Sequence, residues 1–426
     1  MATLWGRWQA LPLYGRILVA LVLGIGLGLA FQLTGRGEQA ATLKDISGLV
    51  LGLLKALATP LIFLAILSAL LQSVIQGKTA RRMAFFLATN TLVAIAIGLI
   101  VVNIVKPGAW GKGLTPPPAE KTATLAEKKP YDPLEDLKQK VPSNIVKPHV
   151  DDNVIGVIVL AVVFGLALRH VREKQLAEGH DAYKSVENLV ATAFEAVIVA
   201  LHAVIQLVPL AVFCVVAAVI GKEGFAPFQT LLGFVVAVLL ALVLQVGFYL
   251  LRVGAFSRIS PLKLLVGGRE ALLTAFSTAS SSVTMPITYD CLREEKRVGL
   301  SEENARLGAL VGSNFNNDGT ALYEAMAPLF VAQALAVTGA GIALGLGQQV
   351  VVAFMAVVAS VGAAGIPEAG LVTMLLVFRS VNLPTEFVLL LLPVDWFLDR
   401  CRTMVNVLGD MTVGCLLEGK TPATVE

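Results

Sequence analysis

The sequence predicts an all-α polytopic membrane protein, and three observations carry that prediction. Of its 426 residues 56% are hydrophobic and only 15% charged, with a mean hydropathy of +0.78. A soluble chain of this length needs a more polar surface. Apolar stretches of spanning length recur from end to end. The last of them, VDWFLDRCRTMVNVLGDMTVG, nevertheless carries Asp395, Asp399, Arg400, Arg402 and Asp410. Asp395, Asp399, Arg402, Asn406 and Asp410 follow one another at intervals of four, three, four and four, which draws one polar stripe down a helix face. Each mid-bilayer charge costs roughly 2.5–3.5 kcal/mol, so five would cost more than ~12 kcal/mol against lipid. The stripe must face protein or a water-filled cavity.

Apolar stretches at about 14–35, 46–76, 82–106, 152–170, 186–220 and 225–253 read as spans. Arg7 and Arg16 precede the long apolar run Ile17–Leu33, which lacks a convincing cleavage site and reads as an uncleaved first span rather than a removed signal peptide. Beyond Arg252, the segments 259–292 and 335–378 are interrupted by small residues and a proline. Each precedes a full-length segment, 303–333 and 385–417. Paired interrupted segments point to discontinuous helices around a binding site near the midplane. The loops near Arg81–Arg82, Arg169–Arg172, Arg252–Lys263 and Arg293–Arg306 read as cytoplasmic, as do both termini, and 107–152 as external. A net charge of +3 implies no nucleic-acid partner, and the four cysteines lack metal or disulfide spacing.

The first interruption, AFSTASSSVTMPIT, lies between apolar flanks. Non-helical backbone survives in a membrane only where protein or a cavity covers it, so this reads as a re-entrant hairpin with Ser280, Ser281 and Ser282 at its turn. In the second, ASVGAAGIPEAG, carbonyls of Ser360, Val361 and Ala363 are candidates for a small cation. Amides near Ile366 and Gly370 are candidates for an anionic group. A small-residue packing surface is the alternative. Between them, GSNFNNDGTALYEA places Asn-Asn-Asp-Gly inside a segment of spanning length, which predicts an unwound stretch. Asn316 and Asp318 offer hard oxygen ligands, and Glu324 a protonatable carboxyl. Asn90 and Thr91 admit two readings, as ion ligands or as groups bonded to their own helix. Glu195 and His202, seven apart, are candidates for a pair. Asp318, Glu324, Asp395, Asp399 and Asp410 against Arg400 and Arg402 leave minus three. A low-dielectric interior does not tolerate that uncompensated, so bound cations or protons must balance it.

SSSVTMPIT, NNDGTALYEA, ASVGAAGIPEAGLVTMLL and VDWFLDRCRTMVNVLGD occur in this order. Together they resemble the glutamate/aspartate transporter family, the dicarboxylate/amino acid:cation symporters that include the excitatory amino acid transporters. The resemblance implies a homotrimer in the cell membrane, with eight spans and two re-entrant hairpins per subunit. It implies a scaffold at 1–78 and 152–222, the latter also trimerising, and an external loop at 108–151. Residues 79–107 and 223–426 would form a transport domain that moves as an elevator. By motif, Arg402 would bind the side-chain carboxylate of an acidic amino acid and Asp399 its amino group. Thr320, Thr403 and Asn406 would complete the contacts, with backbone at Ser281, Ile366 and Gly370 on the α-carboxylate. Sodium would use Asn316, Asn406, Asp410 and the Gly312 carbonyl; Asp318 with Asn90 and Thr91; and the carbonyls of Ser360, Val361 and Ala363. Glu324 matches the proton-carrying position of the eukaryotic branch.

Departures from the family pattern lie beside these ligands. Asn317 stands where methionine is usual, Asn314 where threonine is, and Leu87 where a tyrosine is. Ion stoichiometry is therefore left open. Ala279 with Arg400 matches the eukaryotic arrangement, in which an accessory arginine lies on the last helix, and that analogy admits potassium counter-transport. Asp395 reads as a support. Rival readings are a transporter of C4-dicarboxylates or neutral amino acids, a ligand-gated ion channel, and an intramembrane aspartyl protease. The protease reading rests on Tyr289-Asp290 and Gly409-Asp410. It is weakened by Val407, where that motif needs glycine, and by Asp290 lying beside the charged run 293–297.

Overall fold

Runs of leucine, valine and alanine bounded by prolines and glycines build long helices, and every regular element among the described residues is helical. The computed structural model describes residues 8, 11–72, 77–111, 142–151, 153–339, 344–362 and 370–420. The first helix, α1 (Leu13–Leu33), starts after an extended Pro12 and buries Ile17, Ala20, Gly24 and Gly28. Next come α2 (Leu43–Gln72), α3 (Gly77–Val105) and α4 (Val154–Ala177). The stretch 186–220, expected as one span, is two helices, α5 (Tyr183–Ile205) and α6 (Val208–Glu223). Pro209 sits in the first turn of α6, where its missing N–H and fixed φ are tolerated. A helix running straight through would lose a backbone hydrogen bond there.

After the left-handed Gly224, α7 (Ala226–Phe256) crosses the molecule. The first interrupted segment folds as α8 (Pro261–Thr278) and α9 (Ser281–Arg293), packed on each other. Their link is shorter than the three-serine turn expected. Ala279 takes φ 53°, and Ser280 caps α9 by accepting from Val283 N at 3.3 Å. Ser281 and Ser282 already belong to the helix. The segment 303–333 is broken: Glu302–Arg306, a π-helical turn Leu307–Val311 and Gly312–Phe315 precede an extended Asn316. Helix α10 (Asp318–Val337) then begins. The unwinding thus falls on the Asn-Asn pair, as the sequence indicates. The helices α11 (Leu346–Gly362) and α12 (Gly370–Ser380) flank the second interruption, starting well after residue 335. The last helix, α13, runs from Glu386 to Glu418.

Leu13–Leu33, Gly37–Leu71, Arg81–Ala109, Val154–Ala177, Tyr183–Ile205, Ala226–Phe256 and Asp318–Val337 are each long and apolar enough to cross a bilayer. The chain is a multi-pass membrane protein. Helix α13 has 33 residues, about 50 Å at ~1.5 Å per residue, and only its charges set it apart from those seven.

Packing falls into two groups. Helices α1, α2, α4, α5 and α6 contact chiefly one another, and α3 with α7 to α13 do likewise. Between α1 and α6 the approach is very close. A Cβ on Gly24 would lie 2.9 Å from Phe213 O, and one on Gly28 would lie 2.7 Å from Ile220 Cβ. Small residues four apart let two helix backbones meet in this way. In the second group Phe234 stacks on Phe330 at 4.5 Å and meets Tyr323 at a tilt at 5.6 Å, joining α7 to α10. Glu195 and His202 are both exposed in the single chain, so helix spacing alone does not bring them together.

Candidate functional site: a buried charge array where a broken helix meets the last one

The stripe on α13 is buried along its length, from Asp395 to Asp410. Arg402 has no exposed surface at all. Its Nη2 reaches Asp399 Oδ1 at 2.8 Å and Asp395 Oδ1 at 3.1 Å. Asp395 thereby gains the partner that sequence does not name, seven residues and two turns away on the same face. Tyr323 of α10 lies under the guanidinium, which sits 4.0 Å from its ring centroid. Nε and Nη1 of Arg402 and Oδ2 of Asp399 make no hydrogen bond among the described residues. Buried donors and acceptors of this kind are costly unless something pairs with them. Arg400 points elsewhere. It donates to the carbonyls of Phe276 and Ser277 at the end of α8, at 2.9 and 2.5 Å, and lies 4.4 Å from the Tyr14 ring centroid. A cation is favoured at such a helix C-terminus.

One turn further along α13, the broken segment closes in. Asn316 Nδ2 donates to Asn406 O and to Asp410 Oδ1, both at 2.9 Å, while its own buried Oδ1 has no hydrogen bond among the described residues. Asn406 Oδ1 accepts from Gly319 N at 2.7 Å, and its Nδ2 reaches Asn317 and Thr320 at 3.3 Å. This approach depends on a missing side chain. A Cβ on Gly409 would lie 2.3 Å from Asn316 Nδ2. The Gly312 carbonyl accepts from Asn316 N at 2.7 Å. A carboxylate, amide oxygens and backbone carbonyls are the donor set hard cations take.

Asp318 opens α10, fully buried. Its Oδ1 accepts from Thr91 at 2.6 Å, and its Oδ2 accepts from the Tyr249 hydroxyl. The Thr91 hydroxyl also lies 3.1 Å from Leu87 O of its own helix, the bond that the second reading of this residue expects. Asn90 is buried too, but its Oδ1 accepts from Arg252 Nη1 and its carbonyl from Gln245 Nε2 at 3.4 Å. Arg252, grouped by sequence with the loop arginines, is buried inside α7. Gln245, Tyr249 and Arg252 were missed as site residues. Their four-then-three spacing is the signal that would have found them.

Glu324 is fully buried, with Oε1 accepting from Thr373 of α12 and Oε2 making no hydrogen bond among the described residues. Gly370 lies beside the same array, since a Cβ there would be 3.4 Å from Arg402 Nη2. Thr320 and Thr403 are buried on α10 and α13. Ser281 donates to Ser313 O at 3.5 Å, tying the first helix pair to the broken segment. Ser360 and Val361 close α11, and Ser360 is buried. Ala363 and Ile366 lie outside the described residues.

An all-helical membrane fold holding buried, oppositely charged side chains around an unwound segment is the arrangement expected where a membrane protein binds a polar solute or ion. A family profile described as the sodium:dicarboxylate symporter family matches residues 13–419. The chain belongs to that family. Excitatory amino acid transporter 3 of Homo sapiens is 30% identical over 452 residues, covering 92% of this chain and 82% of its own length. Excitatory amino acid transporter 1 of Ambystoma tigrinum is 31% identical, with 92% and 80% covered. The C4-dicarboxylate transport protein of Stenotrophomonas maltophilia (strain R551-3) is 32% identical, with 93% and 86% covered. The family carries sodium coupling and an acidic cargo in its description. Enzymatic readings, the protease among them, fall with that membership.

Proposed function

We propose that this protein is a symporter that imports L-aspartate or L-glutamate with sodium and a proton by an elevator movement. The observation that carries the reading is the Arg402–Asp399 pair. Two guanidinium nitrogens are left for a carboxylate, and one carboxylate oxygen beside them is left for an ammonium group. An amino acid with an acidic side chain satisfies both, and its α-carboxylate would meet backbone near Ser281, Ile366 and Gly370. Sodium would enter with it at Asn316, Asn406 and Asp410, and at the carbonyls closing α11.

The two packing groups support a scaffold of residues 1–78 and 152–222 and a transport domain of residues 79–107 and 223–426; most of the external loop expected at 108–151 lies outside the described residues. On this reading α5 and α6 together make the fifth of eight spans. The pairs α8–α9 and α11–α12 are re-entrant, the chains form a homotrimer in the cell membrane, and both termini are cytoplasmic. Glu324 is the proton carrier, with Thr373 on the facing helix positioned to follow its charge.

The decisive experiment is uptake of labelled aspartate, glutamate and succinate into proteoliposomes with sodium, proton and potassium gradients imposed separately. Sodium-driven accumulation of the amino acids is expected, and an outward potassium gradient tests counter-transport. Accumulation of succinate alone would favour the C4-dicarboxylate reading, for which the Stenotrophomonas relative speaks. Glu324→Gln should flatten the pH dependence of uptake; an unaltered profile would place the proton elsewhere.

A further inference from the structure

The cluster around Asp318 departs from a cation site in one respect. Four helical positions on α7 wrap it: Gln245, Phe248, Tyr249 and Arg252. Gln245 holds the Asn90 carbonyl, Tyr249 donates to Asp318 Oδ2, and Arg252 donates to Asn90 Oδ1. The Arg252 guanidinium is itself fixed between two rings, 5.4 Å from the centroids of Phe86 and of Phe248. Aromatic faces stabilise a desolvated cation, so the side chain is built to remain charged in place. Thr91 supplies the remaining hydroxyl, to Asp318 Oδ1.

These contacts already engage each side-chain oxygen that an alkali cation would share at Asn90 and Asp318. The Asn90 side-chain oxygen faces a positive group one hydrogen bond away, and both Asp318 oxygens already accept from hydroxyls. A sodium ion sharing Asn90 would lie within a few ångströms of a second positive charge in a low-dielectric interior, where like charges repel strongly. The residues present do not fit a mobile ion there.

Resting on the reading of this protein as a sodium symporter, the geometry points to Arg252 as a built-in cation: it occupies the charge role at the Asn90–Thr91–Asp318 cluster, so no co-transported sodium binds there. Asp318 is balanced by the protein itself, and one fewer negative charge must be neutralised by ions. The cargo sodium is confined to the Asn316–Asn406–Asp410 side and the end of α11. Arg252 is a positioning residue for ion coupling and does not touch substrate.

The test compares wild type with Arg252→Met, and with Arg252→Lys as the charge-keeping control. The ions moved per substrate are read from the reversal voltage of uptake in proteoliposomes. Arg252→Met is expected to gain one sodium ion per substrate and a steeper sodium dependence, whereas Arg252→Lys keeps the wild-type value. A folded, transporting Arg252→Met with the wild-type ratio overturns the proposal. Crystals of the wild type soaked in thallium give a readout that does not rely on any variant folding. Anomalous peaks confined to the Asp410 side and the end of α11 uphold the proposal, and a peak coordinated by Asp318 and Asn90 overturns it. Wild-type uptake without any sodium dependence would sink the parent reading alone. Sodium sensitivity appearing in Arg252→Met would still uphold the role of Arg252, and its failure to appear would overturn it.

Discussion

Arg402 is held at Nη2 by both Asp395 and Asp399 and from below by Tyr323. Its removal therefore does more than delete the proposed substrate contact. Breaking a buried ion pair by deleting one partner costs about 3–5 kcal/mol, because the remaining charge stays buried. Arg402→Cys is expected to lower aspartate uptake at sub-saturating substrate by at least ~100-fold, measured as initial rate in proteoliposomes against correctly folded protein. Serine or alanine uptake by the same variant would show that Asp399 still reads an ammonium group. Unchanged aspartate uptake would remove Arg402 from its role. Residue identity was legible in this stripe because charges inside an apolar run are rare and their spacing states the face. Arg252 was not, because an arginine near a helix end counts toward loop charge whether its side chain turns outward or, as here, inward among Asn90, Phe86 and Phe248. Thr373 gave no signal either; a threonine is neutral evidence until the facing helix shows Glu324.

At the scale of elements, two close approaches are made by absent side chains. Gly409 admits Asn316 against α13. Gly409→Ala should push the broken segment away, costing about 1–3 kcal/mol as overpacking does. The expected readout is a weaker apparent sodium affinity with substrate recognition by Arg402 retained; an unshifted sodium titration would show that the segment tolerates displacement. Gly28 does the same for α1 against α6. Gly28→Val should lower the melting temperature of the purified protein while leaving the sodium dependence of whatever folds unchanged. A melting curve identical to wild type would mean that α1 re-seats without cost. Helix positions were readable from the apolar runs, and the serine cluster announced its turn. The break at Pro209 was hidden, because the run 186–220 is apolar on both sides of it and proline in a first turn leaves no trace in hydropathy. The late start of α11 was hidden for the same reason: apolar composition marks length, and backbone geometry sets ends.

The whole molecule has two packing groups, and Tyr14 of α1 stacks on Trp396 of α13 at 6.3 Å across them. If the groups slide past one another, this contact must break in every cycle. After replacement of the four free cysteines, a Tyr14→Cys, Trp396→Cys pair should lose uptake when bridged by mercury and recover it with excess thiol. Uptake that persists with the bridge formed would rule out sliding at this contact. Class of fold was evident from composition, and the chain's membership of a symporter family from four linked motifs. The proposed division into moving and static parts comes only from that resemblance, because no single helix states which neighbour it will leave.

The break at Asn316 and Asn317 has a consequence for cooperativity. A continuous helix opens by fraying from its ends, since each interior hydrogen bond is propped by its neighbours. Where the ladder is interrupted, the first amides of α10 behave as a fresh terminus buried mid-protein, and local opening there need not involve either flank. Asn316, proposed to ligate a cation, and the first turn of α10 thus sit on a thermodynamic seam. Occupancy of the site is then felt as amide exchange rate at Gly319 and its neighbours, long before it is felt as a change in the stability of the protein.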